Sequence, residues 1–157
     1  MSLKTNALRY LESLNMDYSI LEYNTTDGEI DGKSVASKLG LSYEEIFKTL
    51  VTLGATGEIY VFVIPVAYEL NLKKCANAVS EKSISMLPVK DILKVTGYVK
   101  GGCSPLGMKK TYKTVFDETI LLLDKITFNA GKIGLQVQLT TKDLDKALDF
   151  ITSDVCK

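Results

Sequence analysis

The chain has 157 residues, 46% of them hydrophobic and 24% charged, which fits a single domain over residues 1–157 with a core of its own. It contains no histidine, which excludes serine–histidine–aspartate triads, histidine-activated cysteines and the usual catalytic zinc sites. Lysine plus arginine equals aspartate plus glutamate at 19 each, which predicts no basic field for DNA and only local contact with a few phosphates.

We also expect no membrane-directing segment in this sequence. No apolar run approaches the roughly 20 residues that span a bilayer, and the first ten residues lack the apolar region of a signal peptide. Cys75, Cys103 and Cys156 form no C-x-x-C pair, which is typical of free thiols in a reducing compartment. We therefore expect a cytoplasmic protein without a membrane partner, a metal site or a cofactor.

The first half of the chain mixes helical and extended patterns. Apolar residues at helical spacing predict a helix over residues 3–14, ended by Asn15, and "DYSILEY" alternates as a strand does. A polar loop, "TTDGEIDG", precedes a short helix, "KSVASKL", which Gly40 stops, and Ser42 with Glu45 forms a capping box. "IFKTLVTL" and "EIYVFVIP" flank "GATG", which predicts a central β-hairpin.

The second half continues this irregular alternation. Asn71 is predicted to cap a helix over "LKKCANAV", "KSISML" to form a short strand, and "VKDILKV" after Pro88 to form another helix. Three strands are predicted over "YKTVFDE", "DKITFNAG" and "IGLQVQL". Thr141 is predicted to cap a final helix with an apolar face of Leu144, Ala147, Leu148 and Ile151.

The order of these elements predicts the fold class. Strands interrupted irregularly by helices do not form the regular alternation of a doubly wound sheet. We expect an α+β fold with a mixed, largely antiparallel, barrel-like sheet that curls or closes, with helices packed around it.

Lys48 is the first candidate for chemistry, because it lies within the apolar strand "IFKTLVTL". Its amine either extends to the sheet edge, which is the commoner structural arrangement, or is held at the floor of a pocket for an anionic or ester oxygen. The position of Lys48 in the strand, taken alone, favours extension of the amine to the sheet edge.

Two glycine-bearing segments are the second candidate. "GGCSPLG" predicts either a double turn or a concave set of backbone N–H groups for a phosphate or carbonyl oxygen. "NAGKIGLQ" is by itself a hairpin pattern. Cys103 has no histidine to activate it and is expected to be a packing residue, whereas Tyr23 is either a core residue or a pocket hydroxyl.

Four ordered motifs resemble one known family. "IFKTLV", "LNLKKCANAV", "VTGYVKGGCSPLGMKK" and "NAGKIGLQVQL" are similar in order and spacing to those of the YbaK/EbsC family. That family includes free-standing Cys-tRNA(Pro) deacylases and the editing domain inserted in bacterial prolyl-tRNA synthetases. The similarity runs from about Leu3 to Leu139, and it implies trans-editing of mischarged tRNA.

The resemblance also implies roles for individual residues. It makes Lys48 the residue on which deacylation most depends and Tyr23 a pocket tyrosine. Binding of the aminoacyl ester at the tRNA 3′ end is assigned to Tyr23, Thr49, Gly101, Gly102, Ser104, Pro105, Leu106 and Gly131. We expect the Lys48 amine, the Gly101–Ser104 backbone and Gly131 to line one shared pocket.

Three features depart from the family pattern. Cys103 replaces a residue that is often apolar, Gln136 stands where an acidic residue is frequent, and "NTTDGEIDG" is dissimilar and lies where it can alter access to the pocket.

The implied mechanism uses the cysteine thiol of the substrate as nucleophile, with the protein supplying position and charge. The alternatives are hydrolysis of Ala-tRNA(Pro) by water and a nucleotide-binding module without activity. Zero net charge fits a protein that binds only the acceptor end of the tRNA and gains affinity from prolyl-tRNA synthetase as its partner.

Overall fold

The computed structural model describes residues 4–157 and shows an α+β architecture. Its helices are α1 (Asn6–Ser13), α2 (Gly32–Leu39), α3 (Leu72–Val79), α4 (Val89–Thr96) and α5 (Thr141–Ala147), with a 3₁₀ helix at Glu118–Leu122. Its strands are β1 (Ser19–Glu22), β2 (Phe47–Gly54), β3 (Ile59–Pro65), β4 (Ile84–Met86), β5 (Lys113–Asp117), β6 (Lys125–Lys132), β7 (Leu135–Thr140) and β8 (Ile151–Ser153).

The strands form two sheets. Three strands in the order β1-β7-β6 make an antiparallel sheet, and five strands in the order β4-β2-β3-β5-β8 make a mixed one. β2 pairs antiparallel with β3 and β4, whereas β5 pairs parallel with both β3 and β8. The predicted α+β class with a mixed, largely antiparallel sheet is confirmed, but the strands form two sheets and do not close into a barrel.

The two sheets meet where β2 begins. Ile46 forms an isolated parallel bridge with Thr127 of β6, and the Thr127 amide donates to the Glu45 carbonyl oxygen at 3.3 Å. β4 covers β2 only from Thr52 to Gly54. The stretch Lys48–Leu50 therefore has β3 on one side, and no β4 residue pairs with it on the other.

Apolar side chains from both sheets share the main core. Phe116, Phe128, Val61 and Val137 are fully buried, and α1 contributes Leu8 and Leu11 to the same cluster. A second cluster lies under α3, and a smaller one packs α2 against residues next to β2 and β3. Burial of these side chains provides the main driving force that holds the sheets together.

Local sequence signals set most helix ends as predicted. Asp31 and Asn71 accept hydrogen bonds from the amides of Ser34 and Lys74, which fixes the starts of α2 and α3. The Ser42 amide donates to Glu45 Oε1 at 3.2 Å, as expected from a capping box. The predicted first helix begins at Asn6 in the structure, and Leu3 lies outside the described residues.

The C-terminal prediction was wrong in two respects. Thr140, not Thr141, caps α5, and its side chain accepts from the Asp143 amide at 3.1 Å. The helix ends at Ala147, and Ile151 belongs to β8, which pairs with β5. Three residues of strand are too short to give a periodic signal, so only the neighbouring edge of β5 selects this conformation.

None of the helices between residues 4 and 157 combines the length and the apolar character that a membrane span requires.

Gly107 allows a test of the packing between the loop after α4 and the start of α1. Its φ is +69°, and an added Cβ would lie 2.8 Å from the carbonyl carbon and oxygen of Asn6. We predict that Gly107→Ala lowers the free energy of unfolding by about 2 kcal/mol or more, since left-handed strain adds to a clash with backbone.

Gly57→Ala is the matched control in urea denaturation. Gly57 has a φ of +90°, but nothing lies within 4 Å of the position of its added Cβ. Only the strain, about 1 kcal/mol, is expected there. Equal losses for the two variants would show that Asn6 moves aside freely and that the close approach is unimportant.

Candidate functional site

A cavity of about 490 Å³ lies beside the first half of β2, close to the junction of the two sheets. Its wall is built from the end of β1, the start of α2, β2, the loop after α4, β6 and β7. This volume falls in the usual range for small-molecule sites. The same cavity brings together the strand lysine and residues of both glycine-bearing segments singled out in the sequence, Gly101 and Cys103 from the first and Asn129 and Gln136 from the second.

Lys48 lines this cavity, and its amine is partly buried there. Burial lowers the pKa of its amine from the ordinary value of 10.5, and the negative charge of Glu69 partly opposes this shift. None of the five ion pairs among residues 4–157 includes Lys48. The structure thus places a partly desolvated cation in the wall without a paired carboxylate.

Three other polar groups in the wall lack partners. Tyr23 Oη, Thr49 Oγ1 and Gln136 Oε1 are buried and make no hydrogen bond within residues 4–157, and all three residues line the cavity. Buried polar groups in folded proteins are nearly always hydrogen-bonded. Three such groups around one cavity indicate a site whose ligand supplies the missing donors and acceptors.

The two candidate nucleophiles of the glycine loop, Cys103 and Ser104, are not activated. Cys103 lines the cavity, but burial raises the pKa of its thiol to about 11, so the reactive thiolate is scarce at neutral pH. The Ser104 side chain is fully buried, and its hydroxyl oxygen accepts from the Leu106 amide at 3.2 Å. Neither side chain has the geometry or the protonation state of a protein nucleophile.

A polar segment closes another side of the cavity. Ile30 and Asp31 line the wall, and Lys38 of α2 holds the preceding loop by donating to the carbonyl oxygens of Asn24 and Glu29 and to Asp27 Oδ1, at 2.6–2.8 Å. Gly101 also lies next to Ile30, since a Cβ added there would be 3.5 Å from Ile30 Cδ1. The dissimilar segment "NTTDGEIDG" therefore forms part of the pocket.

The structure brings only some of the predicted site residues to the cavity. Lys48, Tyr23, Thr49 and Gly101 line it, together with Cys103 and Gln136. The residues predicted from the resemblance that do not line it are Gly102, Ser104, Pro105, Leu106 and Gly131. The expected shared pocket thus includes Lys48 and the start of the glycine loop, but Gly131 lies behind the wall, against Tyr98 and Thr5.

The second half of the glycine loop anchors it to the rest of the molecule. Leu106 belongs to the main core, and its carbonyl oxygen accepts from the Tyr98 hydroxyl at 2.5 Å. Pro105 lines a different cavity of about 400 Å³, near Lys110 and Lys146. Residues 104–106 therefore anchor the loop that carries Gly101 and Cys103.

Sequence reasoning missed Asn129, Lys100 and Ile30, which also line the cavity. Asn129 stands at the start of "NAGKIGLQ", where an asparagine before a glycine is a turn signal. No pattern in the sequence indicates that its side chain faces the other glycine segment.

Comparison with known protein families identifies the class of this chain. Residues 31–147 match the aminoacyl-tRNA editing domain family. The chain belongs to this family, and the predicted membership is confirmed.

Two individual proteins show the sequence similarity in more detail. The chain is 43% identical over 136 residues to "Putative Cys-tRNA(Pro)/Cys-tRNA(Cys) deacylase EbsC" of Enterococcus faecalis, which covers 87% of this chain and 83% of that protein. It is 34% identical over 97 residues to a proline–tRNA ligase of Citrifermentans bemidjiense, covering 62% of this chain and 17% of that enzyme.

A solved structure supports the fold. The crystal structure of "a putative trans-editing enzyme for prolyl tRNA synthetase" superposes with a TM-score of 0.84 at 22% identity, covering 99% of each chain. At this level of identity the likeness is one of fold alone.

The desolvated amine predicts that Lys48 lowers the stability of the protein. Lys48→Met should raise the free energy of unfolding by up to about 1 kcal/mol, or roughly 2–4 °C in Tm, because an apolar chain of similar length removes a buried charge. Since the folded-state pKa lies below the unfolded value of 10.5, wild-type stability should also rise with pH between those two values. The variant should lack that rise.

Lys38→Met is the control for this measurement. Lys38 makes three hydrogen bonds to the loop before α2, so its loss should lower Tm. Thermal denaturation of both variants across pH 7–10.5 provides the comparison. A destabilised Lys48→Met protein would show that the amine has a favourable partner.

Proposed function

We propose that this chain is an aminoacyl-tRNA deacylase that acts in trans and removes cysteine from mischarged Cys-tRNA(Pro). The observation that carries the proposal is the cavity itself, where an unpaired amine and three unpartnered polar groups surround the space and no activated protein nucleophile is present. Membership of the editing family and 43% identity to EbsC support the substrate class.

The cavity suits the aminoacyl ester at the tRNA 3′ end. An ester and its α-amino group offer donors and acceptors that match the unpartnered Tyr23, Thr49 and Gln136 groups. The Lys48 cation, weakly solvated, stabilises negative charge that develops on the ester carbonyl oxygen or a neighbouring phosphate. Because the groups are held on strands, this stabilisation is preorganised.

The bond-making step uses the thiol of the substrate. Its sulfur attacks the carbonyl carbon of its own ester, a C–S bond forms and the C–O bond to the terminal ribose breaks. The thiol proton passes to the departing ribose oxygen, so the products are a cyclic cysteine thiolactone and intact tRNA. The attack is intramolecular within the substrate, so the main contribution available to a site without a nucleophile is to hold sulfur and carbonyl carbon in the reactive conformation.

Substitution of Lys48 is expected to lower the deacylation rate strongly, whereas substitution of Cys103 is expected to change it little. Lys48→Ala should lower the rate of Cys-tRNA(Pro) deacylation by about 10²–10³, because a preorganised charge is lost from the site. Cys103→Ala should keep substantial activity, since its thiol is protonated at neutral pH. Single-turnover assays with purified variants measure both rates.

The substrate side chain distinguishes the mechanisms. Replacing the cysteine on the tRNA by serine should slow deacylation sharply, because a hydroxyl is a far weaker nucleophile than a thiol. Equal rates on Cys-, Ser- and Ala-tRNA(Pro) would indicate attack by water and an Ala-tRNA(Pro) hydrolase. No activity on any of them would indicate a binding module, and a dead Cys103→Ala protein would identify a protein nucleophile.

We further propose that prolyl-tRNA synthetase supplies much of the affinity for tRNA. The chain has no net charge, and binding of long nucleic acid scales with the number of phosphates neutralised. A second binding partner raises the effective concentration of the acceptor end near the cavity.

This partnership predicts a dependence on the synthetase that binding assays can measure. Isolated protein should bind tRNA(Pro) weakly, with a shallow salt dependence, and added synthetase should lower the apparent Kd at least tenfold. The Cys103→Ala variant serves as control, because it removes no charge and should respond to the synthetase as the wild type does. Tight, synthetase-independent binding by the isolated chain would contradict the proposal.

A further inference from the structure

The side chain of Asn129 joins the two glycine-bearing segments. Its Nδ2 donates to the Gly101 carbonyl oxygen at 2.6 Å, and its Oδ1 accepts from the amides of Gly131 at 2.9 Å and Lys132 at 3.2 Å. Both ends of the carboxamide are therefore used. One end holds a residue of the cavity wall, and the other holds the irregular part of β6.

The surrounding backbone depends on these bonds. Pairing between β6 and β7 shifts register between Asn129 and Lys132, so regular strand pairing is interrupted there. Gly131 has a φ of +98°, which turns the chain back towards Asn129. The Asn129 side chain thus accepts hydrogen bonds from two amides in the segment where regular strand pairing is interrupted.

The two segments also approach each other closely. A Cβ added at Gly102 would lie 3.2 Å from the Ile133 amide nitrogen and 3.3 Å from Lys132 Cα. Gly101 itself is exposed, with a φ of +87°, and it lines the cavity. Its carbonyl bond to Asn129 therefore links the exposed end of the loop to the small sheet.

We propose that Asn129 is a positioning residue that fixes the Gly101–Cys103 wall of the cavity relative to Lys48. The β6–β7 sheet serves as the rigid base, and the Nδ2 donor holds the wall against it. The effect on activity rests on the proposed deacylase function, whereas the effect on loop order does not.

Asn129→Asp separates the two halves of the side chain. The carboxylate is isosteric and still accepts from Gly131 and Lys132, but it has no donor for the Gly101 carbonyl oxygen. Asn129→Ala removes donor and acceptors together and adds no charge. An effect on exchange in the Gly101–Cys103 loop that is common to both variants is therefore due to the lost bond to Gly101.

Amide hydrogen exchange provides the first measurement, on wild type and both variants. We expect exchange of the Gly102 amide, which donates to the Val99 carbonyl oxygen at 3.0 Å, to accelerate about three- to tenfold in both, as the loss of one hydrogen bond allows, while amides of the buried strand β3 stay unchanged. Single-turnover deacylation provides the second. The rate at saturating tRNA should fall about tenfold or more, and the KM for tRNA should change less than twofold.

Gln138→Glu is the matched control. Gln138 Nε2 donates to Thr127 Oγ1 at 3.0 Å in the same sheet, and Gln138 does not line the cavity. This variant should leave loop exchange and rate as in wild type. Unchanged loop exchange in Asn129→Asp would overturn the proposal, and so would faster exchange with an unchanged rate. If wild type lacks activity, the proposed function fails, and the exchange data still decide whether Asn129 holds the loop.

Discussion

The junction between the two sheets is the constraint on which the site depends. The bridge from Ile46 to Thr127 and the bond from the Thr127 amide to Glu45 set the start of β2 against β6. This junction brings Lys48 of one sheet near Gln136 of the other around a single cavity. Neither sheet alone contains the site, so the packing of large apolar side chains between them also determines its geometry.

The cavity has the polarity of a binding site and not that of a core. Its amine and three unpartnered groups each lower the stability of the ligand-free protein, because buried polar groups favour hydrogen-bonded states. Sites that stabilise developing charge commonly carry such a penalty. Any ligand that supplies the missing donors and acceptors would offset this penalty.

The four glycines in "TGYVKGGCSPLG" have two separate purposes. Gly101 places exposed backbone at the cavity, whereas Gly102 is buried against the irregular part of β6, where a Cβ would meet Lys132 and Ile133. Gly97 ends α4 in the left-handed conformation, and Gly107 passes within contact of Asn6. The loop is therefore fixed at its far end by the core, and only its first residues face the cavity.

The sequence by itself determined most helices and strands, the α+β class and the family, because these follow from periodicity, caps and motifs that lie close together in the chain. It did not determine β8, which is too short for periodicity and exists only because β5 offers an edge. It also placed Pro105 in the site, whereas the fold directs that residue to another cavity. The bond from Asn129 to Gly101 joins residues 28 positions apart, and only tertiary packing brings such groups within 2.6 Å.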